Sequence, residues 1–194
     1  MNHHHTPHGD THTKFFRSRR LHIAVTVLLT GLILVNMALI FFFSSESGDE
    51  SGDRSAGVTD MILEIICPDY DRLPQAEQQA MLTRMHHLVR KTAHFLEYAL
   101  LGFLITCLLV YLSRFPVPKI QVWHTWVLPA GFCLLYAASD EIHQIFSGRG
   151  PRVTDVLIDF AGAVFGIACL HLCVWLIGRI CEAIKHRKEG KEAL

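Results

Sequence analysis

The stretch Asp155-Val156-Leu157-Ile158-Asp159-Phe160-Ala161-Gly162-Ala163-Val164-Phe165-Gly166 decides how this chain is read. Two carboxylates open a run that stays apolar over residues 156–180, and about 20 such residues in a helix cross the hydrocarbon core of a bilayer. At about 100° per residue, Asp155, Asp159, Gly162 and Gly166 form one narrow stripe. Gly162-x-x-x-Gly166 is a small-residue pattern that lets helices approach closely. The two carboxylates therefore sit directly above the surface along which this helix should pack. An ionisable group at bilayer depth is costly, so it faces a protein interior or a wet cavity and pairs with something.

Three further apolar runs cover residues 21–43, 93–112 and 122–139. The last contains Pro129, which a membrane helix accommodates with a kink. Half of the 194 residues are hydrophobic, at 51%, and the mean hydropathy is +0.29. A water-soluble domain would have to hide too much apolar surface at that composition. The expected fold is all-α: an integral membrane four-helix bundle with spans near 21–43, 93–112, 122–143 and 156–179. Polar and basic tails over 1–20 and 181–194 flank this membrane domain of 21–180, with an outer loop over 44–92. Net charge is zero, which gives no global field for nucleic acid. The six cysteines include no C-x-x-C and lie mostly in apolar runs, where cysteine acts as a small hydrophobe rather than a disulfide framework.

The first run is too long for a signal-peptide core and no small-x-small site follows it, so it reads as an uncleaved helix. Before it, His3, His4, His5, His8 and His12 make a polar tract that reads as a disordered tail or a weak metal binder. Lys14, Arg17, Arg19 and Arg20 then hold the N-terminus in the cytoplasm. Arg179, Lys185, Arg187, Lys188 and Lys191 do the same after the last run. With both termini inside, 11 of the 18 Lys and Arg are cytoplasmic. The acidic, small-residue stretch 44–53 should be flexible. Residues 58–67 show some helical periodicity, and 74–90 read as an amphipathic helix on the membrane surface feeding the second span.

Polar residues converge on the outer end of the bundle. Arg90, Lys91, His94, Glu97 and Tyr98 share an arc of roughly 120°, with Gly102 one turn deeper. Tyr136, Asp140, His143 and Gln144 share another arc, flanked by Glu141. Arg149 and Arg152 lie in a glycine–proline connection to Asp155 and Asp159. His94, Glu97, Asp140, Glu141, His143 and Asp159 are the candidates for acid–base work. His94-x-x-Glu97 and Glu141-x-His143 also suit a metal, leaving Lys91 and Arg149 for an anionic group. No cofactor motif is present, and a divalent metal is the one cofactor this set leaves open. The plainer reading makes these residues a clamp between helices, with Lys91 or Arg149 paired to Asp159 or Glu97. His171, on the opposite side of its helix, reads as an incidental polar contact.

Arg90-Lys91-Thr92-Ala93-His94-Phe95-Leu96-Glu97-Tyr98 with Leu101-Gly102 resembles the first signature of the VanZ-like membrane family. Asp140-Glu141-Ile142-His143-Gln144-Ile145-Phe146 with Gly148-Arg149 resembles the second. Asp155-x-x-x-Asp159-x-x-Gly162-x-x-x-Gly166 resembles the third, and Phe43-Ser44-Ser45 also fits, although Glu46 stands where the family often has glutamine. The resemblance covers about residues 41–166. It implies a multi-pass protein of the bacterial cytoplasmic membrane, in a family whose namesake is linked to resistance to the glycopeptide teicoplanin.

Three functions compete. In the first, an outward-facing polar cleft engages an amphiphile, either a lipid-linked wall intermediate or the lipoglycopeptide. Arg90, Lys91, Arg149 and Arg152 would meet its anionic groups there. His94, Glu97, Tyr98, Asp140, Glu141, His143, Gln144, Asp155 and Asp159 would line it, and Gly102, Gly162 and Gly166 would pack the helices. In the second, a membrane enzyme acts on a lipid head group through a carboxylate, a histidine or a bound metal. In the third, the chain is a transporter or channel, which four spans without an inverted repeat disfavour.

Overall fold

The structure, a computed structural model, describes residues 9–45, 48–114, 120–146 and 152–192, with side chains described from Arg19 onward and not for 48–55, 145–146 or 190–192. All of its regular elements are helical: α1 (Gly9–Ser44), α2 (Gly48–Ile66), a 3-10 turn (Tyr70–Arg72), α3 (Gln75–Leu112), α4 (His124–Phe146) and α5 (Val153–Glu192). No strand occurs among the described residues.

The all-helical expectation holds, and a four-span bundle is not confirmed. Three helices are long and apolar enough to cross a membrane, over Arg19–Ser44, Gln75–Leu112 and Val153–Glu189. α4, expected as the fourth, falls short because Asp140 and Glu141 close its apolar stretch at one end and His124 and Thr125 at the other. A four-span bundle is therefore not what length and composition give. Large apolar side chains cover the outside of the helices, among them Leu28, Leu34, Leu135, Leu157, Trp175 and Ile177. That surface fits a lipid environment.

Two local expectations change. Residues 74–90 do not form a separate surface helix: α3 runs unbroken from Gln75 to Leu112. No glycine or proline lies between Gln75 and Leu101 to end it, and Ala, Leu, Met, Gln and Arg are good helix formers. Pro74 starts the helix, its carbonyl accepting the N–H groups of Glu77 and Gln78. At 1.5 Å per residue α3 is roughly 57 Å long, about twice a hydrocarbon core, so the helix is longer than a span needs. The stretch expected to be flexible is helical as well from Gly48, where α2 begins. α2 packs back on α3 by burying Thr59 and Leu63, and Thr59 Oγ1 lies 3.4 Å from His86 Nδ1. Residues 46–47, the Arg114-to-Lys119 turn at 115–119 and the loop at 147–151 lie outside the described residues.

Cross-helix contacts fix direction and register. Tyr136 donates to the Met37 carbonyl at 2.8 Å and Gln144 to Ser44 at 2.7 Å, so α1 and α4 run the same way. His22 meets Tyr111 and Asn36 meets the Glu97 carbonyl, so α3 runs against α1. α3 and α5 are parallel and make the closest contact. A Cβ on Gly102 would lie 2.5 Å from the Ala163 carbonyl oxygen. On Gly162 it would meet the Phe95 carbonyl, and on Gly166 that of Ala99, both inside contact distance. Only hydrogen fits at these three positions, and that is what brings the polar ends of α3 and α5 together.

Pro129 has a partner that periodicity did not reveal. It lacks the N–H that would bond the Thr125 carbonyl one turn back. His171 Nε2 of α5 stands 3.4 Å from that carbonyl and 3.3 Å from Thr125 Oγ1. Its ring also stacks on Trp126, centroids 4.2 Å apart and planes 4° from parallel. His171, expected as an incidental contact, occupies the place the proline leaves open. All six cysteines are free.

Candidate functional site

Ser44 at the end of α1, the middle of α3, the last turns of α4 and the first turns of α5 meet at one end of the molecule. The direction of each helix explains why. α1 and α4 arrive there with their C-terminal turns, while α5 starts there and α3 enters its apolar half. Residues far apart in sequence thus reach one level.

Asp140 is the centre of that level and only 3% exposed. Its Oδ2 accepts the Ser44 hydroxyl at 2.8 Å and Gln144 Nε2 at 3.3 Å, and Gln144 also donates to Ser44 Oγ at 2.7 Å. Asp140 and Gln144 are one helical turn apart, which puts both on the face toward α1. Oδ1 of Asp140 is buried with no hydrogen-bond partner among the described residues. Asp159 of α5 is 4% exposed. A ring nitrogen of His94, a carboxylate oxygen of Asp140 and one of Asp159 all lie within 4.8 Å of one another. His94 Nδ1 is 3.7 Å from Glu97 Oε2. Tyr98 is fully buried beside this group, interacts electrostatically with both aspartates, and its hydroxyl finds no described partner.

The other candidates surround the centre without joining it. Lys91 pairs with Asp155 at 2.7 Å, both side chains about three-quarters buried. That is a helix-to-helix clamp, though with Asp155 rather than the Asp159 or Glu97 expected. Glu141 is buried and accepts the backbone N–H of Arg152, tying the end of α4 to the start of α5. His143 turns toward α1 and packs on Phe41, ring centroids 4.3 Å apart. Arg90 is half-buried and forms no ion pair with a described residue. Arg149 lies outside the described residues. Periodicity within single runs did not single out Ser44 or Asn36. Their signals were a serine closing the first span and the lone amide inside it.

The arrangement concentrates acceptors. Asp140, Asp159 and Glu97 come from three helices, and no Lys or Arg among the described residues pairs with any of them. Buried carboxylates without a Lys or Arg partner add little to stability by themselves.

No curated protein and no solved structure gives a significant match to the chain. The family model described as VanZ/LLP1 matches residues 29–175. That range starts within α1 and contains α2, α3, α4 and every residue of the polar centre. On that match over most of its length, the chain belongs to the VanZ/LLP1 family.

Proposed function

We propose that this VanZ-like membrane protein sits in the bacterial cytoplasmic membrane with both termini in the cytoplasm. In this reading it engages an amphiphilic or lipid-linked envelope ligand at its outer face and gives tolerance to the glycopeptide teicoplanin. The observation that carries the reading is the set of buried carboxylates gathered from α3, α4 and α5 at one end, with Lys91 and Arg90 at its edge. α4 completes the membrane domain as a fourth crossing. It reaches from His171 of α5 at one end to Ser44 of α1 at the other, and its 23 residues extend roughly 35 Å, against about 30 Å of hydrocarbon. The basic flanks of α1 and α5 then lie on one side and the polar centre on the other. A ligand with acyl chains would stay in the lipid beside α1 and α4 while its polar part reaches the centre.

Susceptibility testing in a sensitive bacterial host checks this. Expression should raise the inhibitory concentration of teicoplanin, and not that of a glycopeptide lacking an acyl chain. Glu97→Gln and Asp140→Asn should abolish the effect at unchanged protein abundance. Loss of abundance in both variants, or no effect of the unaltered chain, would contradict the reading. A second reading, an enzyme acting on a lipid head group, is favoured by one observation, the approach of His94, Asp140 and Asp159. A lipid head-group product appearing in vesicles with the purified chain, and not with Asp159→Asn, would support it.

A further inference from the structure

We propose that His94, Asp140 and Asp159 bind one divalent transition-metal cation, Zn2+ or Mn2+. Their ligand atoms lie within 4.8 Å of one another, and they come from α3, α4 and α5. Bonds of about 2.0–2.2 Å to nitrogen and oxygen place the ligand atoms of such an ion roughly 3–4.4 Å apart. Three ligands cannot all be trans, and on a tetrahedral ion they stand about 3.3–3.6 Å apart, so the groups need to draw together by up to about 1.5 Å. One imidazole with two carboxylates excludes a thiolate-type site, and the nitrogen ligand favours Zn2+ or Mn2+ over Mg2+ or Ca2+.

A second observation points the same way. Asp140 divides its two oxygens: Oδ2 takes the hydroxyl of Ser44 and the amide of Gln144, while Oδ1 is buried with no donor among the described residues. A carboxylate that ligates a metal through one oxygen is commonly oriented through hydrogen bonds in this way. Asp140 is 3% exposed, so water does not readily supply the missing donor. Asp159, 4% exposed, accepts no hydrogen bond from a described side chain and pairs with no described Lys or Arg. A dipositive ion neutralises both aspartates at once. Glu97 Oε2 stands 3.7 Å from His94 Nδ1, beyond hydrogen-bond length, and would have to close by about 0.7 Å to orient a ligating imidazole. Three protein ligands leave at least one position for water or an anionic oxygen.

The proposal uses the same polar centre as the ligand reading but does not need the amphiphile. The two fail separately, since one is read by metal content and the other by antibiotic susceptibility. The N-terminal histidine tract would bind metal by itself, so the test uses the full chain carrying His3→Ala, His4→Ala, His5→Ala, His8→Ala and His12→Ala. Purified in detergent, stripped with a chelator and dialysed against Zn2+ or Mn2+, it should retain about one ion per chain by elemental analysis. Asp159→Asn and Asp140→Asn in that background should weaken binding at least as much as the roughly 10–100-fold that loss of an outer partner costs. Glu182→Gln, an exposed carboxylate that pairs with Arg179 in the far half of α5, should leave the stoichiometry unchanged. Added metal should also raise the thermal midpoint of the parent chain, a readout that needs no variant to fold. No retained ion, retention undiminished in both Asn variants, or a midpoint insensitive to metal would overturn the proposal.

Discussion

Gly166→Ala should open the α3–α5 crossing and carry Asp159 away from Asp140. A Cβ at Gly166 would overlap the Ala99 carbonyl oxygen and lie 2.7 Å from its carbon, where ordinary contact begins at 3.4 Å. The carbon alone calls for about 0.7 Å of separation and the overlapped oxygen for more, and both groups are backbone inside helices, so neither can rotate away. Overpacking of this kind costs about 1–3 kcal/mol. Gly31→Ala is the matched control, because nothing lies within 4 Å of a Cβ there. It should gain up to about 1 kcal/mol of helix propensity. The two variants should therefore differ by about 1–4 kcal/mol, or roughly 2–16 °C in midpoint for a chain this size. Circular dichroism during heating in detergent measures it. Equal midpoints for the two variants would refute the close approach of α3 and α5 that positions the site.

Three other outcomes follow from the contacts. Ser44→Ala leaves Asp140 Oδ2 with Gln144 alone and should cost about 1–3 kcal/mol, while a cost below about 0.3 kcal/mol would remove α1 from the site. His171→Leu exposes the Thr125 carbonyl that Pro129 cannot bond and should destabilise by about 1–2 kcal/mol; adding Pro129→Ala should recover part of that loss, and no recovery would separate the two residues. Lys91→Met and Asp155→Asn in a double-mutant cycle should show a coupling of about 1 kcal/mol, whereas strict additivity would dissolve the ion pair.

Much of the helical architecture was legible because hydropathy and period act locally. The apolar runs of α1, α3 and α5 and the polar arcs on α3, α4 and α5 could be marked within single helices. What was not legible depends on register between helices. Periodicity places Asp140 and Gln144 on one face, but nothing in α4 says that Ser44 of α1 ends at their level. The pairing of Lys91 with Asp155 rather than Asp159 is likewise set by where α3 and α5 cross, which the glycine contacts fix. His171 reads from sequence only as a polar contact, because its partner is a carbonyl freed by a proline on another helix. α3 was divided in two because its first half is polar, yet helix continuity depends on breakers and none is there. The carboxylates and polar start of α4 shorten its apolar length, so hydropathy alone does not mark it as a crossing.

An experimental structure of the chain in lipid nanodiscs tests the central claim most directly. The account predicts that His94, Asp140 and Asp159 bring one ligand atom each within about 5 Å of a common point, with Ser44 bonded to Asp140 and the group at the membrane face opposite the basic tails. Any one of those carboxylates turned into lipid, or the three side chains spread over different levels, would contradict it.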